Sequence, residues 1–313
     1  MPLPISENLS PAKVPCHYST APTKGSYSSL SPGEHGSHDD EFDFDSASRD
    51  IVNESAEGIM ALPGGTKTGT CWHEILERLP FDADDDAIFA ETRRALSVHG
   101  LVSPSDEAFA KVAGLVAEMV KATLECPLRA PDGKQFTLRE IGGQDRFSEW
   151  EFDFSSAASA STTTAIAEIL REEWGGETSK RAFLKELEGW NRPIPKGYLK
   201  GFLDLVFRKD GYYYVVDWKS NSLTRRVADF MEEGITAEMA SAGYFFQYLL
   251  YSAVLHRFLK ETLGAEYSWE RNFGGIRYYF LRGIPYNGEK AVFCDRPGEA
   301  LLEKLCAALG LEG

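Results

Sequence analysis

A chain of 313 residues that is 43% hydrophobic and 12% aromatic has the size and composition of a folded globular protein with a sizeable core. Its formal net charge of −15 excludes a protein that holds nucleic acid over its whole surface, because the phosphate backbone would be repelled. No stretch approaches the roughly 18 consecutive apolar residues of a membrane helix, and the N-terminus does not resemble a signal peptide, so we expect a cytoplasmic protein.

The first part of the chain, residues 1–67, is rich in serine, proline and glycine and contains the acidic run DDEFDFD at 39–45. It shows no sustained helical or strand period. We therefore predict a linker or arm, largely disordered or extended, over residues 1–67. One folded domain is predicted over residues 68–313.

Helical patterns dominate the residues that follow this arm. Apolar residues from Trp72 to Leu79 recur at spacings of three and four, which predicts a helix with Thr70 as its N-cap. The same criteria predict further helices at 84–100, 105–125, 162–174, 179–190, around 237–262 and at about 297–309. Alternating patterns predict strands at 146–155 and 274–283 and a hairpin over 198–219.

The predicted hairpin contains the pair Asp210-Gly211 between two apolar runs. This pair is the strongest short-range signal for a two-residue turn, because both turn positions need a positive φ. The turn pairs Lys209 with Tyr212 and so determines the register of the two strands. In that register Asp204 falls directly opposite Asp217.

Two acids and a lysine share one face of this hairpin. Because side chains alternate across a strand, Lys219 lies on the same face as Asp204 and Asp217. Two facing carboxylates in a partly desolvated site are destabilising unless one of them is protonated or a cation lies between them. The opposite face is wholly apolar and consists of Leu203, Leu205, Phe207, Tyr214, Val216 and Trp218.

A divalent cation between the two aspartates would remove this repulsion. Paired carboxylates favour a hard ion such as Mg²⁺ or Mn²⁺, and a neighbouring lysine can orient or deprotonate a water or stabilise charge on a phosphate. The three residues therefore indicate phosphodiester hydrolysis. The residues alone leave a second interpretation open, in which Lys219 forms an ordinary salt bridge with an aspartate and Asp204 is protonated.

Four further segments form recognisable motifs along the chain: GTCWHEILE at 69–77, SEWEF at 148–152, QYLLY at 247–251 and FGGIRYYFLRG at 273–283. Together with the hairpin they resemble the motifs of the RecB-type nuclease family within the PD-(D/E)xK superfamily. YSSL at 27–30 resembles a segment of the linker before that domain. The resemblance runs from about residue 60 to the end. It implies an α/β fold with a restriction-endonuclease-like core, in which helices flank a central mixed sheet.

The resemblance also implies which residues bind a metal. It assigns this role to the His73 imidazole, to the carboxylates of Asp204 and Asp217, and to the backbone carbonyl of Trp218, where relatives usually have tyrosine. Without the resemblance, a histidine among apolar neighbours is more often an ordinary core or surface residue. The residues of SEWEF carry no such assignment, and Glu149 and the neighbouring Glu151 are interpreted as surface acids.

Catalysis and substrate binding are implied in the same way. Lys219 occupies the position of the catalytic lysine and acts with Asp204 and Asp217. Gln247 and Tyr251 occupy the QxxxY positions, which organise the site and contact the DNA strand. Taken without the family, this pair is helix surface or core.

The implied activity is that of a Mg²⁺-dependent deoxyribonuclease of the exodeoxyribonuclease V type, for which Mn²⁺ can substitute. It hydrolyses single-stranded DNA in double-strand break repair and DNA end processing. The implied partners are DNA, a RecB-type helicase portion, and RecC- and RecD-type subunits. Because the sequence contains no GxxxxGK[ST] loop, a helicase motor would have to lie outside these residues.

Two other functions remain open at this point. The first is a catalytically silent nuclease fold that serves as a docking platform in a repair complex, which suits the acidic surface. The second is an RNA-directed or transposon-type relative of the same superfamily. The presence of all four chemical groups, His73, Asp204, Asp217 and Lys219, argues against the silent platform.

Overall fold

The computed structural model describes residues 23–25, 56–101, 108–156, 162–175, 178–190, 194 and 197–311. The acidic run and the YSSL segment lie outside the described residues, as does nearly all of the predicted arm. No helix of the described part is both long enough and apolar enough to cross a membrane.

A mixed sheet of six strands forms the centre of the molecule. The described residues form eight strands in all: β1 (Thr23–Gly25), β2 (Leu128–Arg129), β3 (Gln135–Phe136), β4 (Arg146–Ser156), β5 (Gly197–Lys209), β6 (Tyr212–Lys219), β7 (Phe273–Phe280) and β8 (Val292–Asp295). The order is β1-β5-β6-β7-β8, β4 pairs with β5, and β2 and β3 form a separate small sheet. β1 with β5 and β6 with β7 are parallel, whereas the other pairs are antiparallel.

Helices lie before, between and after the strands in the chain. They are α1 (Thr66–Arg78), α2 (Asp85–Val98), α3 (Phe109–Glu125), α4 (Thr163–Trp174), α5 (Thr178–Trp190), α6 (Glu232–Ser241), α7 (Tyr244–Leu263), α8 (Trp269–Asn272), α9 (Ile284–Asn287) and α10 (Glu299–Leu309). The structure thus confirms the predicted α/β class with a central mixed sheet and flanking helices. The boundary predicted at residue 67 stays a prediction, although Ile59 is already packed in the core.

Two helix predictions were wrong in detail. The first helix begins at Thr66 with Gly65 as its N-cap, so Thr70 lies inside the helix and its hydroxyl donates to the Thr66 carbonyl. The helix predicted around 237–262 is two helices, α6 and α7. Gly243, between them, has a φ of 71°, a left-handed conformation that glycine adopts without a steric penalty and that ends the helical path.

The register predicted for the hairpin is confirmed. Asp210 and Gly211 have φ values of 50° and 88°, as a two-residue turn of this kind requires, and the strands pair from Lys209–Tyr212 to Leu205–Val216. The ladder ends there, one residue before Asp204 and Asp217. At this point the Asp204 carboxylate accepts a hydrogen bond from the backbone N–H of Trp218 on β6.

Both faces of the hairpin are covered. The apolar face is confirmed, because all six of its side chains are at most 2% exposed. Phe136 from the small sheet packs there against Phe207 and Tyr214. On the other face α7 lies over β6 and β7, with the ring of Tyr244 beside that of Tyr278. Asp217 and Lys219 are therefore held between packed layers.

Candidate active site

His73 is the residue that connects helix α1 to the end of the hairpin. Its Nε2 lies 2.8 Å from the carbonyl oxygen of Trp218, and its Nδ1 lies 3.6 Å from Oδ1 of Asp204. A carbonyl can only accept a hydrogen bond, so we assign the proton of a neutral ring to Nε2. The lone pair on Nδ1 then points towards a carboxylate oxygen, an arrangement that a cation between the two atoms would satisfy.

Asp204 is held by the backbone of the neighbouring strand. Its Oδ2 accepts a hydrogen bond of 2.7 Å from the backbone N–H of Trp218. The backbone of Trp218 thus bonds to two candidate metal ligands: its N–H donates to Asp204, and its carbonyl accepts from His73. Burial raises the pKa of Asp204 to about 6, although the nearby charges of His73 and Lys219 and the Trp218 N–H act in the opposite direction.

Asp217 and Lys219 form a buried ion pair. Lys219 Nζ lies 2.7 Å from Asp217 Oδ2, and the two side chains are only 2% and 4% exposed. Burial raises the pKa of Asp217 to about 8, the charge of Asp204 adds to this effect, and the Lys219 ammonium opposes it. Apart from the ion pair, Asp217 Oδ2 has no hydrogen-bond partner within the described residues.

Two tyrosine rings surround the Lys219 ammonium. Nζ lies 4.0 Å from the ring centroid of Tyr244 and 5.4 Å from that of Tyr278. The negative faces of aromatic rings attract a cation, most strongly where water is excluded. The Tyr244 hydroxyl accepts a hydrogen bond of 3.1 Å from the Asn221 amide, which lies two residues beyond the lysine. The ammonium is thus positioned by one carboxylate and two rings.

Glu149 is a candidate site residue that the sequence analysis did not assign. Ser148 pairs with Leu205 and Trp150 with Leu203, so Glu149 lies beside Asp204 in the β4–β5 register. Glu149 has a φ of 49°, which is unusual for a residue other than glycine and is often found at functional sites. Its carboxylate oxygen, a ring nitrogen of His73 and a carboxylate oxygen of Asp204 all lie within 4.8 Å of one another.

Of the two glutamates interpreted as surface acids, Glu149 is half-buried beside Asp204, whereas Glu151 is exposed as expected. Glu151 is exposed and pairs with Lys200 on β5 at 2.5 Å. In the sequence the two acids look alike, because each occupies an alternate position of one strand. The two glutamates differ only in that Glu149 lies beside Asp204 on the neighbouring strand. Pairing between strands about fifty residues apart leaves no pattern in the local sequence that would reveal this difference.

Gln247 and Tyr251 lie on the buried face of α7. Gln247 Nε2 donates to the Tyr251 hydroxyl at 3.1 Å, and Tyr278 donates to Gln247 Oε1 at 3.0 Å. Burial raises the pKa of Tyr251, and the negative charges of Asp217 and Asp204 add to the effect. The charges of the two aspartates therefore act on the Tyr251 hydroxyl. The hydrogen bond from Tyr278 to Gln247 also connects α7 to a ring that lies beside Lys219.

The donor atoms of this cluster fit a divalent cation. One imidazole and two carboxylates converge within 4.8 Å, and Asp217 adds a buried oxygen that lies 2.7 Å from the Lys219 ammonium. Oxygen-rich sites with a single imidazole suit Mg²⁺ or Mn²⁺. Within the described residues, the close group of three contains Glu149 in place of the predicted Asp217. The Trp218 carbonyl, also predicted as a metal ligand, lies beside His73 and accepts a hydrogen bond from its N–H.

Comparison with known proteins identifies the superfamily of the chain. The sequence profile of the PD-(D/E)XK nuclease superfamily matches residues 55–305, so the chain belongs to that superfamily. The chain is 31% identical to the RecBCD enzyme subunit RecB of Haemophilus influenzae over 278 residues, which are 87% of this chain and 21% of that protein. The corresponding subunit of Escherichia coli is 28% identical over 299 residues, 92% of this chain and 23% of that protein.

A third relative comes from another bacterium. The RecB subunit of Mycobacterium tuberculosis is 32% identical over 237 residues, 72% of this chain and 21% of the relative. These matches support a nuclease domain of the RecB type. The chain spans less than a quarter of the length of these relatives.

Proposed function

We propose that this chain is a Mg²⁺-dependent deoxyribonuclease that hydrolyses phosphodiester bonds, with single-stranded DNA as its preferred substrate. One observation carries the proposal. His73, Glu149 and Asp204 converge within 4.8 Å, directly beside the buried Lys219–Asp217 pair. A divalent-cation site next to a buried ammonium is the combination that phosphodiester hydrolysis needs.

The chemistry divides between the cation and the side chains. A Mg²⁺ ion held by His73, Glu149, Asp204 and Asp217 would polarise the scissile phosphate and lower the pKa of a bound water. Lys219 donates hydrogen bonds to the attacking water or to a phosphate oxygen as its negative charge grows. Its ammonium costs little reorganisation at that moment, because surrounding groups already hold it in place.

Other residues orient these groups. The Trp218 backbone keeps the carboxylate of Asp204 and the ring of His73 in fixed positions. Gln247 and Tyr251 are the proposed contacts to the DNA strand, and their mutual hydrogen bond presents them as one unit on α7. The same helix carries Tyr244, whose ring lies against the Lys219 ammonium.

The wider setting of the activity rests on the names of the relatives, which are RecBCD enzyme subunits. We propose that the chain is the nuclease module of a complex of this type and acts in the cytoplasm in DNA end processing and double-strand break repair. A RecB-type helicase portion and RecC- and RecD-type subunits are its proposed partners.

The test is cleavage of single-stranded DNA in Mg²⁺ by the parent chain and by Asp217→Ala and Lys219→Ala. Lys121→Ala is the matched control, since Lys121 also forms an ion pair of 2.7 Å with an aspartate but on the exposed surface. We expect the parent and the control to cleave and the two site variants to lose at least about 100-fold in rate. Equal cleavage by all four proteins would overturn the proposal.

The same proteins test the alternative of a silent docking platform. An active site of the proposed kind should bind Mn²⁺ and unfold at a higher temperature when Mn²⁺ is present. A platform without metal chemistry should show no such shift. Absence of both the shift and cleavage in the parent chain would favour the platform.

A further inference from the structure

Arg282 is fully buried close to the candidate active site, and its guanidinium bonds to the backbone of two separate chain segments. Nε donates to the carbonyl of Ser220 at 2.9 Å. Nη1 donates to the carbonyls of Ile59 and Leu62, both at 2.9 Å, and Nη2 donates to that of Pro63 at 2.8 Å. All three nitrogen atoms of the side chain therefore bond to carbonyl oxygens.

These two segments lead directly into the site. The residue bonded by Nε follows Lys219 at the end of β6, whereas residues 59–63 run into α1, which carries His73. The guanidinium also lies over the ring of Trp72, 4.8 Å from its centroid. Arg282 thus contacts both the strand that supplies the lysine and the helix that supplies the histidine.

The chemistry of this contact suits arginine alone among the basic residues. Burial of a charge is costly unless its donors are satisfied, and a guanidinium carries a rigid planar fork that can reach several carbonyls in fixed directions. A lysine in the same place has a single nitrogen and could not span both segments. An apolar residue could fill the volume but would leave four carbonyls without this donor.

We propose that Arg282 is a positioning residue for the candidate active site. It sets the distance between α1 and the end of β6, so that the His73 ring meets both the Trp218 carbonyl and Asp204. The inference rests on the proposed function, because it concerns the geometry of the same cation site. Residues that orient metal ligands typically change metal affinity about 10- to 100-fold when they are replaced.

A second buried arginine offers a matched control. Arg277 on β7 is 6% exposed and donates to the backbone carbonyls of Ile276 and Arg129. It lies over the ring of Tyr214, on the face of the sheet opposite the acids. Its replacement should destabilise the fold in a comparable way without touching α1 or the residues after Lys219.

The experiment compares Arg282→Lys with Arg277→Lys. Mn²⁺ affinity is measured by titration calorimetry, and cleavage of single-stranded DNA is measured against Mn²⁺ concentration, both well below the unfolding temperatures. We expect Arg282→Lys to raise the Mn²⁺ dissociation constant and the half-saturating Mn²⁺ concentration about 10-fold or more. Arg277→Lys should leave both within about twofold of the parent.

A milder variant covers the case in which Arg282→Lys does not fold. Thr68 at the start of α1 donates from its hydroxyl to the Pro63 carbonyl at 3.0 Å, the same oxygen that Arg282 bonds. Thr68→Val keeps the shape and removes this bond, so it should weaken Mn²⁺ binding in the same direction by a smaller factor.

The outcomes separate this inference from the function on which it rests. If the parent neither binds Mn²⁺ nor cleaves DNA, the proposed function fails. If the parent does both, but Arg282→Lys and Thr68→Val match the Arg277→Lys control, the positioning role of Arg282 is overturned.

Discussion

The ammonium of Lys219 lies 4.0 Å from the ring centroid of Tyr244, although the two residues belong to a strand and a helix on different layers of the fold. This contact, together with Asp217, fixes a charge that would otherwise be costly to bury. It makes Tyr244 a candidate positioning residue for the lysine, because its ring touches the ammonium.

The first prediction concerns this ring. Tyr244→Leu should lower the rate of DNA cleavage at saturating Mg²⁺ by about 10- to 30-fold, since a desolvated cation–π contact contributes about 2 kcal/mol. Tyr244→Phe keeps the ring and loses only the hydroxyl bonded by Asn221, so it should retain most of the activity. Single-turnover kinetics distinguishes the two, and equal losses would exclude a role of the ring face.

The second prediction concerns Glu149. Glu149→Gln should weaken Mn²⁺ binding about 10- to 100-fold, because one charged donor of the close group is lost. Without metal the variant should be as stable as the parent or slightly more stable, since the Glu149 charge opposes the ionisation of Asp204. Calorimetry and urea unfolding measure the two effects.

The control for Glu149 is Glu151→Gln on the same strand, where the acid is exposed and pairs with Lys200. This variant should bind Mn²⁺ like the parent. If both variants lose the same affinity, the effect comes from the general negative charge and Glu149 is not a ligand.

The third prediction concerns pH and a histidine remote from the site. His256 is fully buried, with Nδ1 2.6 Å from the Tyr267 hydroxyl and Nε2 3.1 Å from Glu303 Oε1. Burial lowers the pKa of His256, although Glu303 opposes this. The unfolded chain therefore binds a proton more readily, and stability is lost as pH falls from about 6.5 through the lower pKa of the folded state.

The measurement is the free energy of unfolding in urea at about pH 8 and about pH 5 for the parent and His256→Gln. Other titrating groups are common to both proteins. The parent should lose more stability than the variant across this range, by about 1.4 kcal/mol for each unit that separates the folded and unfolded pKa values. Identical pH profiles would show that this histidine does not titrate differently on folding.

The fourth prediction concerns the core beneath the site. Phe207 is fully buried and stacks on Tyr214 at 4.7 Å, so Phe207→Ala should lower the free energy of unfolding by about 3–5 kcal/mol. Phe147 on the neighbouring β4 is 41% exposed, and Phe147→Ala should cost less than about 1 kcal/mol. Denaturant unfolding measures both, and a small effect at Phe207 would show that the core collapses around the cavity.

The sequence by itself determined the hairpin and much of the helical framework. The Asp210-Gly211 turn and the strict alternation on either side act locally, so the register from Lys209–Tyr212 to Leu205–Val216 followed from short-range chemistry alone. That register predicted that Asp204 and Asp217 face each other, and two facing carboxylates suggested a cation bound between them. The motifs along the chain pointed to the superfamily that the profile match confirmed.

The tertiary structure decided which acid stands beside His73 and what holds the site together. Glu149 joins the close group through pairing of β4 with β5, and Arg282 joins α1 to the end of β6 across more than two hundred residues. Neither contact has a local pattern, because strand neighbours and buried hydrogen bonds depend on how distant segments pack. Periodicity reports which face of an element is buried, but only the packed chain determines which other element it meets.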